Sequence, residues 1–241
     1  MQSVDELAHR QIAANCRNNI TGAVRYARKK DFTEKHRARS TILSMLTKER
    51  YPDGLNILTM PGLSWEFENR LLSLRESGWV YKNKPVKRTF ITGVEIDPAV
   101  YRAGCLQMPR GDETPFVSIQ SSPMWTAHTI ASNCVKAFHN CDVYRLMREC
   151  DSMWNVAWLD FIGPLSRCKI EQIRDFYESK VDGSIIVTCL AARHSQETSI
   201  ELENYGELEG WFESMLLGRV EHCFRYCDGA SPMIQFAVSK I

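Results

Sequence analysis

Apolar positions along the chain recur first at helical spacing, then in alternating strand-like and helical stretches. In "VDELAHRQIAANC", Val4, Leu7, Ala8 and Ile12 fall on one side, with Ser3 placed as a cap ahead of two acids, which predicts an amphipathic helix. A second helix is predicted over "TEKHRARSTILSMLTKER", from Thr33 to a stop before Pro52, with Ile42, Leu43, Met45 and Leu46 as its apolar positions. Beyond residue 54 the period changes. "LNILTM" reads as a strand and "SWEFENRLLSLRESG" as a helix capped by Ser64 and closing near Gly78. "RTFITGVEI" is the next strand, and "DPAVYRAGCLQ" a short helix with Asp97 as cap and Pro98 at its first position. "PFVSIQ" follows as a third strand and "SPMWTAHTIASNCVKAF" as a helix. "CDVYRLMREC" is a short helix, "WNVAWLDFIG" the most apolar strand, and "CKIEQIRDFYESKV" an amphipathic helix. "GSIIVTCLAA" is again a strand and "ELENYGELEGWFESMLLGR" a helix. The closing "EHCFRYCDGASPMIQFAVSK" holds two strand-like runs around a Gly/Ser/Pro turn, the pattern of an antiparallel hairpin.

Strands that alternate with helices, several of them apolar on both faces, predict an α/β fold with a mostly parallel sheet covered on each side. The expected architecture is a three-layer sandwich around a seven-stranded sheet ending in the antiparallel hairpin. Residues 1–52 read as a basic helical extension and residues 53–241 as the Rossmann-like domain.

At 241 residues, with 44% hydrophobic and 24% charged residues, the chain fits one globular domain with a small appendage. No apolar run approaches the roughly 18 residues that a membrane span requires, so no membrane partner is expected. Nine cysteines lack CxxC pairs and framework spacing, which predicts unpaired thiols in a reducing, cytoplasmic setting. His128, His139, His194 and His222 form no metal-ligand spacing; no metal is expected. The net charge of +1 hides one uneven region: "RYARKKDFTEKHRAR", from Arg25 to Arg39, carries seven Lys/Arg against two acids. It is either a solvated helix face or a phosphate-contacting patch. In the second case Arg25, Arg28, Lys29, Arg37 and Arg39 are the nucleic-acid contacts.

Five strand-helix units followed by a hairpin, with "NILTMPGLSWEF" after the first strand and "GVEIDP" at the end of the second, resemble the class I S-adenosylmethionine-dependent methyltransferases from about residue 54 to 241. The resemblance implies S-adenosylmethionine as cofactor and places Glu95 as the carboxylate that binds both ribose hydroxyls, with Ile96 beside it in the cofactor site. Two neighbouring hydroxyl donors suit two carboxylate oxygens; the alternative for Glu95 is a simple strand-end charge. Gly62 stands in the loop that faces the methionine part of the cofactor, where a missing Cβ lets backbone approach. That loop departs from the family's glycine-rich pattern, with Pro61, Leu63 and Trp65 as neighbours. Glu66 either meets the cofactor's ammonium group or offsets the helix dipole, and Trp65 either lies over the adenosine or belongs to the core. "NVAWLDFIGPLS" resembles the fourth motif of the superfamily, which makes Asp160 and Phe161 catalytic candidates toward an exocyclic amine. The same stretch also reads as a plain strand-to-helix connection capped by Ser166. Arg193, in "AARHS" after the fifth strand, is a substrate candidate by position. The resulting expectation is a methyltransferase acting on nucleic acid. A catalytically inactive relative that binds nucleic acid or a partner protein is one alternative, and an enzyme for a protein or small molecule is another. A compact chain with departures from the motifs would suit a viral or mobile-element protein.

Overall fold

A computed structural model describes residues 33–47, 49–61, 65–77, 89–107, 117–121, 124–130, 134–161, 163, 165, 167–190, 214, 218–228 and 231–240. Arg25, Arg28, Lys29, Gly62, Ser64, Ser166, Arg193 and the helices expected over 4–16 and 201–219 lie outside these residues, apart from Ser214, Gly218 and Arg219. Among the described residues, no helix is long and apolar enough to cross a membrane.

Among the described residues, nine strands form one sheet: β1 (Leu55–Thr59), β2 (Thr89–Glu95), β3 (Val117–Ser121), β4 (Met124–Ile130), β5 (Cys134–Asn140), β6 (Trp154–Asp160), β7 (Val181–Leu190), β8 (Arg219–Asp228) and β9 (Ser231–Ser239). Their spatial order is β3-β4-β5-β2-β1-β6-β7-β9-β8. The five strands β5-β2-β1-β6-β7 are parallel, and the β8-β9 hairpin adds antiparallel beside β7. In number and arrangement these seven match the expected sheet. Two further strands, β3 and β4, extend the other edge antiparallel to β5.

That edge corrects one expectation. The run "SPMWTAHTIASNCVKAF" is not a helix but the body of β4 and most of β5, so the third parallel strand is Cys134–Asn140 and not "PFVSIQ". The β-branched Thr126, Thr129 and Ile130 disfavour helix, and pairing of β4 with both β3 and β5 decides the outcome. Strand preference of this kind comes largely from neighbours across the sheet.

Among the described residues, five helices cover the sheet: α1 (Thr33–Met45), α2 (Glu66–Ser77), α3 (Pro98–Gln107), α4 (Val143–Glu149) and α5 (Arg167–Lys180). On one face, Ile42 and Leu43 of α1, Phe67 and Leu71 of α2 and Tyr101 of α3 pack against Ile57, Ile91, Val156, Trp158 and Ile186. On the other, Val143 and Leu146 of α4 and Ile170, Ile173 and Phe176 of α5 pack against Leu58, Val94, Leu159 and Val187. Successive residues of a strand point to opposite faces, so the central strands feed both cores and must be apolar throughout. Burying each such side chain contributes about 1.5–3 kcal/mol.

Helix α1 lies on the sheet as well. Its Ala38 packs with Tyr226 and Met233, and Glu34 Oε2 accepts the backbone N–H of Cys227 at 2.7 Å. Just beyond it, Arg50 donates to both oxygens of Glu221 at 2.5 and 2.7 Å, and to Ser184 and Ser239 at 3.1 and 2.9 Å. This fork ties the segment after α1 to β7, β8 and β9.

Candidate functional site

Strand order reverses beside β1: β2 and β5 lie to one side, β6 and β7 to the other. In an open parallel sheet that reversal leaves a crevice outside the carboxyl ends of the strands. The last residues of β1, β2, β5 and β6 are Thr59, Glu95, Asn140 and Asp160, so all four stand at this edge.

Glu95 is half-buried and its Oε1 accepts the backbone N–H of Asp97 at 2.9 Å. Burial pushes its carboxyl above the usual carboxylate range, opposed by that hydrogen bond. Asp97 is the cap expected from the sequence: its Oδ1 accepts from Ala99 and Val100 N–H at 2.7 and 3.3 Å. Ile96, between them, is 66% exposed, an apolar surface at the rim. Asn140 was not foreseen, because its strand was read as helix. It sits opposite Glu95 in register, and its Nδ2 donates to the carbonyls of Glu95 and Ile96 at 2.8 and 3.3 Å. The turn after β2 is thereby held from two sides. Asp142 then caps α4 by accepting from Tyr144 N–H at 2.9 Å. The available signal was Asp142, a cap residue that opens the short helix over 143–149 and so places a strand end just before it.

The loop after β1 is reshaped around a glycine in the neighbouring strand. Trp65 is fully buried, at φ +50°, in the left-handed region that costs a non-glycine residue strain. Its indole meets Phe138 edge-on at 5.0 Å between ring centroids. A Cβ on Gly93 would lie 3.0 Å from each of Phe138 Cδ2, Pro61 Cγ and Trp65 Cη2. Gly93 thus makes room for the bulky residues that replace the expected glycines. Because Gly93 and Glu95 share a face of β2, these rings form the floor below Glu95. Trp65 belongs to the core.

The two acids in the first turn of α2 part company. Glu66 Oε2 accepts from Arg39 Nη1 at 2.7 Å, and its Oε1 lies 3.4 Å from His36 Nδ1. Its carboxylate joins α2 to α1, and Arg39 is drawn away from any phosphate. Arg37 is exposed on α1. Glu68, two residues on, is 1% exposed, and neither of its oxygens has a hydrogen-bond partner. The hydroxyl of Thr59 is likewise buried and unpartnered. Burial raises the Glu68 carboxyl to about 7; its own backbone N–H, the adjacent Thr59 hydroxyl and the Arg39 charge oppose the rise, and Asp160 adds to it, so Thr59 lies close enough to favour the carboxylate although it falls short of hydrogen-bond geometry.

Asp160 and Phe161 also face apart. Asp160 is half-buried at the end of β6, on the same face as Trp158. Phe161, 9% exposed, turns to the opposite core and stacks on Tyr144 at 5.5 Å and 10°. Its N–H donates to Thr188 O at 2.8 Å. Phe161 therefore packs beneath the strand ends, and the expected catalytic pair reduces to Asp160 at the crevice. Below it, Thr188 Oγ1 accepts from Trp158 Nε1 and Gln235 Nε2, both at 3.2 Å.

No protein-family model matches the chain, and no curated protein matches it in sequence. Solved structures match it in fold. The magnesium protoporphyrin IX methyltransferase of Synechocystis PCC 6803, with bound SAM, aligns at a TM-score of 0.54 and 11% identity over 93% of this chain and 93% of that one. The fold is that of the S-adenosylmethionine-dependent methyltransferases. The plantazolicin methyltransferase BamL, in complex with a triazolic desmethylPZN analog and SAH, aligns at 0.52 and 10% identity over 99% of this chain and 100% of that one. The 1,6-didemethyltoxoflavin-N1-methyltransferase of Burkholderia thailandensis, with bound 1,6-didemethyltoxoflavin and S-adenosylhomocysteine, aligns at 0.50 and 10% identity over 100% and 91%.

Proposed function

We propose that this protein is an S-adenosylmethionine-dependent methyltransferase whose cofactor lies across the carboxyl ends of β1, β2 and β6. The observation that carries this reading is the half-buried Glu95 carboxylate at the strand-order reversal, on a fold that the three methyltransferases above share. A carboxylate has about four lone-pair sites, and the Asp97 amide engages Oε1 alone. The group fits two neighbouring ribose hydroxyls, and exposed Ile96 offers an apolar support for the adenine. Bound there, the cofactor supplies a methyl group already activated on a sulfonium. The chain's task is then orientation: in-line positioning can supply several kcal/mol of the barrier reduction. Asp160 is the group placed to accept a hydrogen bond from the acceptor.

The test is calorimetry with S-adenosylmethionine and S-adenosylhomocysteine on the wild type and on Glu95→Ala. The expected result is binding by the wild type and a loss of roughly ten- to a hundredfold in the variant, the weight of one or two charge-assisted hydrogen bonds. Unchanged affinity in Glu95→Ala would overturn the reading. Because burial raises the Glu95 carboxyl, affinity should fall on acidification sooner than an ordinary carboxylate would dictate.

For the acceptor, the basic stretch from Arg25 to Arg39 supports a nucleic acid, and Arg37 on α1 is free to face one. A second reading, a small-molecule acceptor, draws on two observations. Glu95, Asp97, Asp142 and Asp160 gather at the strand ends, where carboxylates repel phosphates, and Arg39 is engaged by Glu66. The three methyltransferases above are named for a porphyrin, for plantazolicin and for a didemethyltoxoflavin. Retention on an oligonucleotide column separates the readings: a phosphate-binding face loses affinity steeply with salt, and a small-molecule enzyme is not retained.

A further inference from the structure

The two edges of the sheet are built differently. At one edge, β8 carries Arg219, Glu221, Arg225 and Asp228 among its ten residues, and its register on β9 shifts between Val220 and His222. Glu34 of α1 adds a carboxylate that accepts the backbone N–H of Cys227. Charges, an irregular register and a covering group all keep an edge strand from pairing with another chain. At the other edge, β3 has none of these. Its five residues, VSIQS, belong to a run from Thr114 to Val135 without Asp, Glu, Lys or Arg, and its register on β4 is unbroken. Strand β1 is equally uncharged, but it is central, with a parallel strand on each side. Among the described residues β3 pairs only with β4, and the N–H and C=O groups along its outer side meet no strand. An uncharged, proline-free edge containing Val117 and Ile119 is a template for one more strand.

We propose that β3 pairs antiparallel with β3 of a second copy of this chain, joining two sheets into one across a two-fold axis. The strand's own sequence selects this occupant. Pairing centred on Ile119 sets Ile119 opposite its own copy, Ser118 opposite Gln120 and Val117 opposite Ser121. That is a β-branched pair on the axis with a polar pair on either side of it, and no like charges meet. A two-fold axis lets one patch serve both subunits, and antiparallel is the pairing it gives to two identical edges. Five residues make a seam about 17 Å long, short for a tight complex, which puts the dimer among the weak interfaces. Strands β4, β5 and β2 lie between β3 and β1, so the seam leaves the strand-order reversal beside β1 outside the contact. The dimer stands apart from the cofactor reading.

The test is analytical ultracentrifugation of the full chain at about 5–200 μM, the range of a weak interface. It compares the wild type, Ile119→Lys, Ile119→Glu and an equimolar mixture of the two variants. Residue 119 meets its own copy on the axis, so each variant alone sets like charges opposite one another, and the mixture sets Lys opposite Glu. The wild type should form a dimer that grows with concentration. Each variant alone should dissociate about tenfold more readily or worse, and the mixture should recover most of the dimer. Circular dichroism and thermal melting verify that the variants fold. A second pair, on the other face of the strand, keeps the test decisive if residue 119 tolerates no charge. Ser118→Lys with Gln120→Lys should weaken the dimer, and Ser118→Lys with Gln120→Glu should keep it. A wild type that stays monomeric throughout would overturn the proposal, which is also the result expected if β3 serves a segment of a different protein. So would a dimer that either charged variant leaves intact, or a mixture of folded variants that recovers nothing.

Discussion

At the scale of single residues, the buried Glu68 carries a stability signature. Its carboxyl stands near 7 in the folded chain, well above the ordinary Glu value of about 4.3. Between those values the folded state holds more protons than the unfolded state. Stability therefore falls as pH rises through this window and is lowest above it. The full effect is on the order of 3 kcal/mol. Urea unfolding of the ligand-free protein should show this decline between about pH 5 and 8, and Glu68→Gln should abolish it and be the more stable protein at pH 8. Trp65 gives a second check. Truncation to Ala should cost roughly 3–5 kcal/mol, read as a lower denaturation midpoint; Ala keeps a Cβ, so the left-handed backbone at this position stays strained. Gly93→Ala should destabilise too, since the new methyl would press on three rings at 3.0 Å. Glu95 and the Asp97 cap were legible because strand ends and caps leave local marks in sequence. Glu66 and Glu68 were not separable: two residues apart on a helix point to different sides, and which side is buried depends on where α1 and β1 lie. Gly93 was invisible for a similar reason, since its partners Pro61, Trp65 and Phe138 come from other segments.

Elements tell a similar story. The parallel strands were readable from continuous apolar runs, and α5 from its helical period. The β4-β5 region was not, because small and polar residues with no proline or glycine read as helix until cross-strand pairing is known. The attachment of α1 was equally hidden, although its apolar positions were correctly placed. What holds the following segment is a long-range fork: Arg50 on Glu221, Ser184 and Ser239. Arg50 is a third exposed, so its contribution is discounted for solvent; Arg50→Ala should cost about 1–2 kcal/mol in chemical unfolding. Glu221 is held below the usual carboxylate range mainly by its hydrogen bond to Arg50. Its share of stability is present above the ordinary Glu value and is lost as pH falls through the depressed one. Arg50→Ala should therefore narrow the gap between mutant and wild type in acid.

For the whole molecule, sheet order says most. Five parallel strands and an antiparallel hairpin around a reversal beside β1 place Thr59, Glu95, Asn140 and Asp160 along one edge, whatever the sequence identity. The chain departs from the expected motif in the loop after β1, yet the large residues there pack downward over Gly93. The rim above stays lined by carboxylates. Such a rim suits a cationic ligand and opposes a polyanion, which ties the cofactor reading and the choice of acceptor to the same electrostatics. A crystal of the protein with S-adenosylhomocysteine puts the central claim to the most direct test. Both ribose hydroxyls are expected within hydrogen-bonding distance of Glu95, with the adenine against Ile96. A ligand bound elsewhere, or a ribose that leaves Glu95 bonded only to the Asp97 amide, would contradict it.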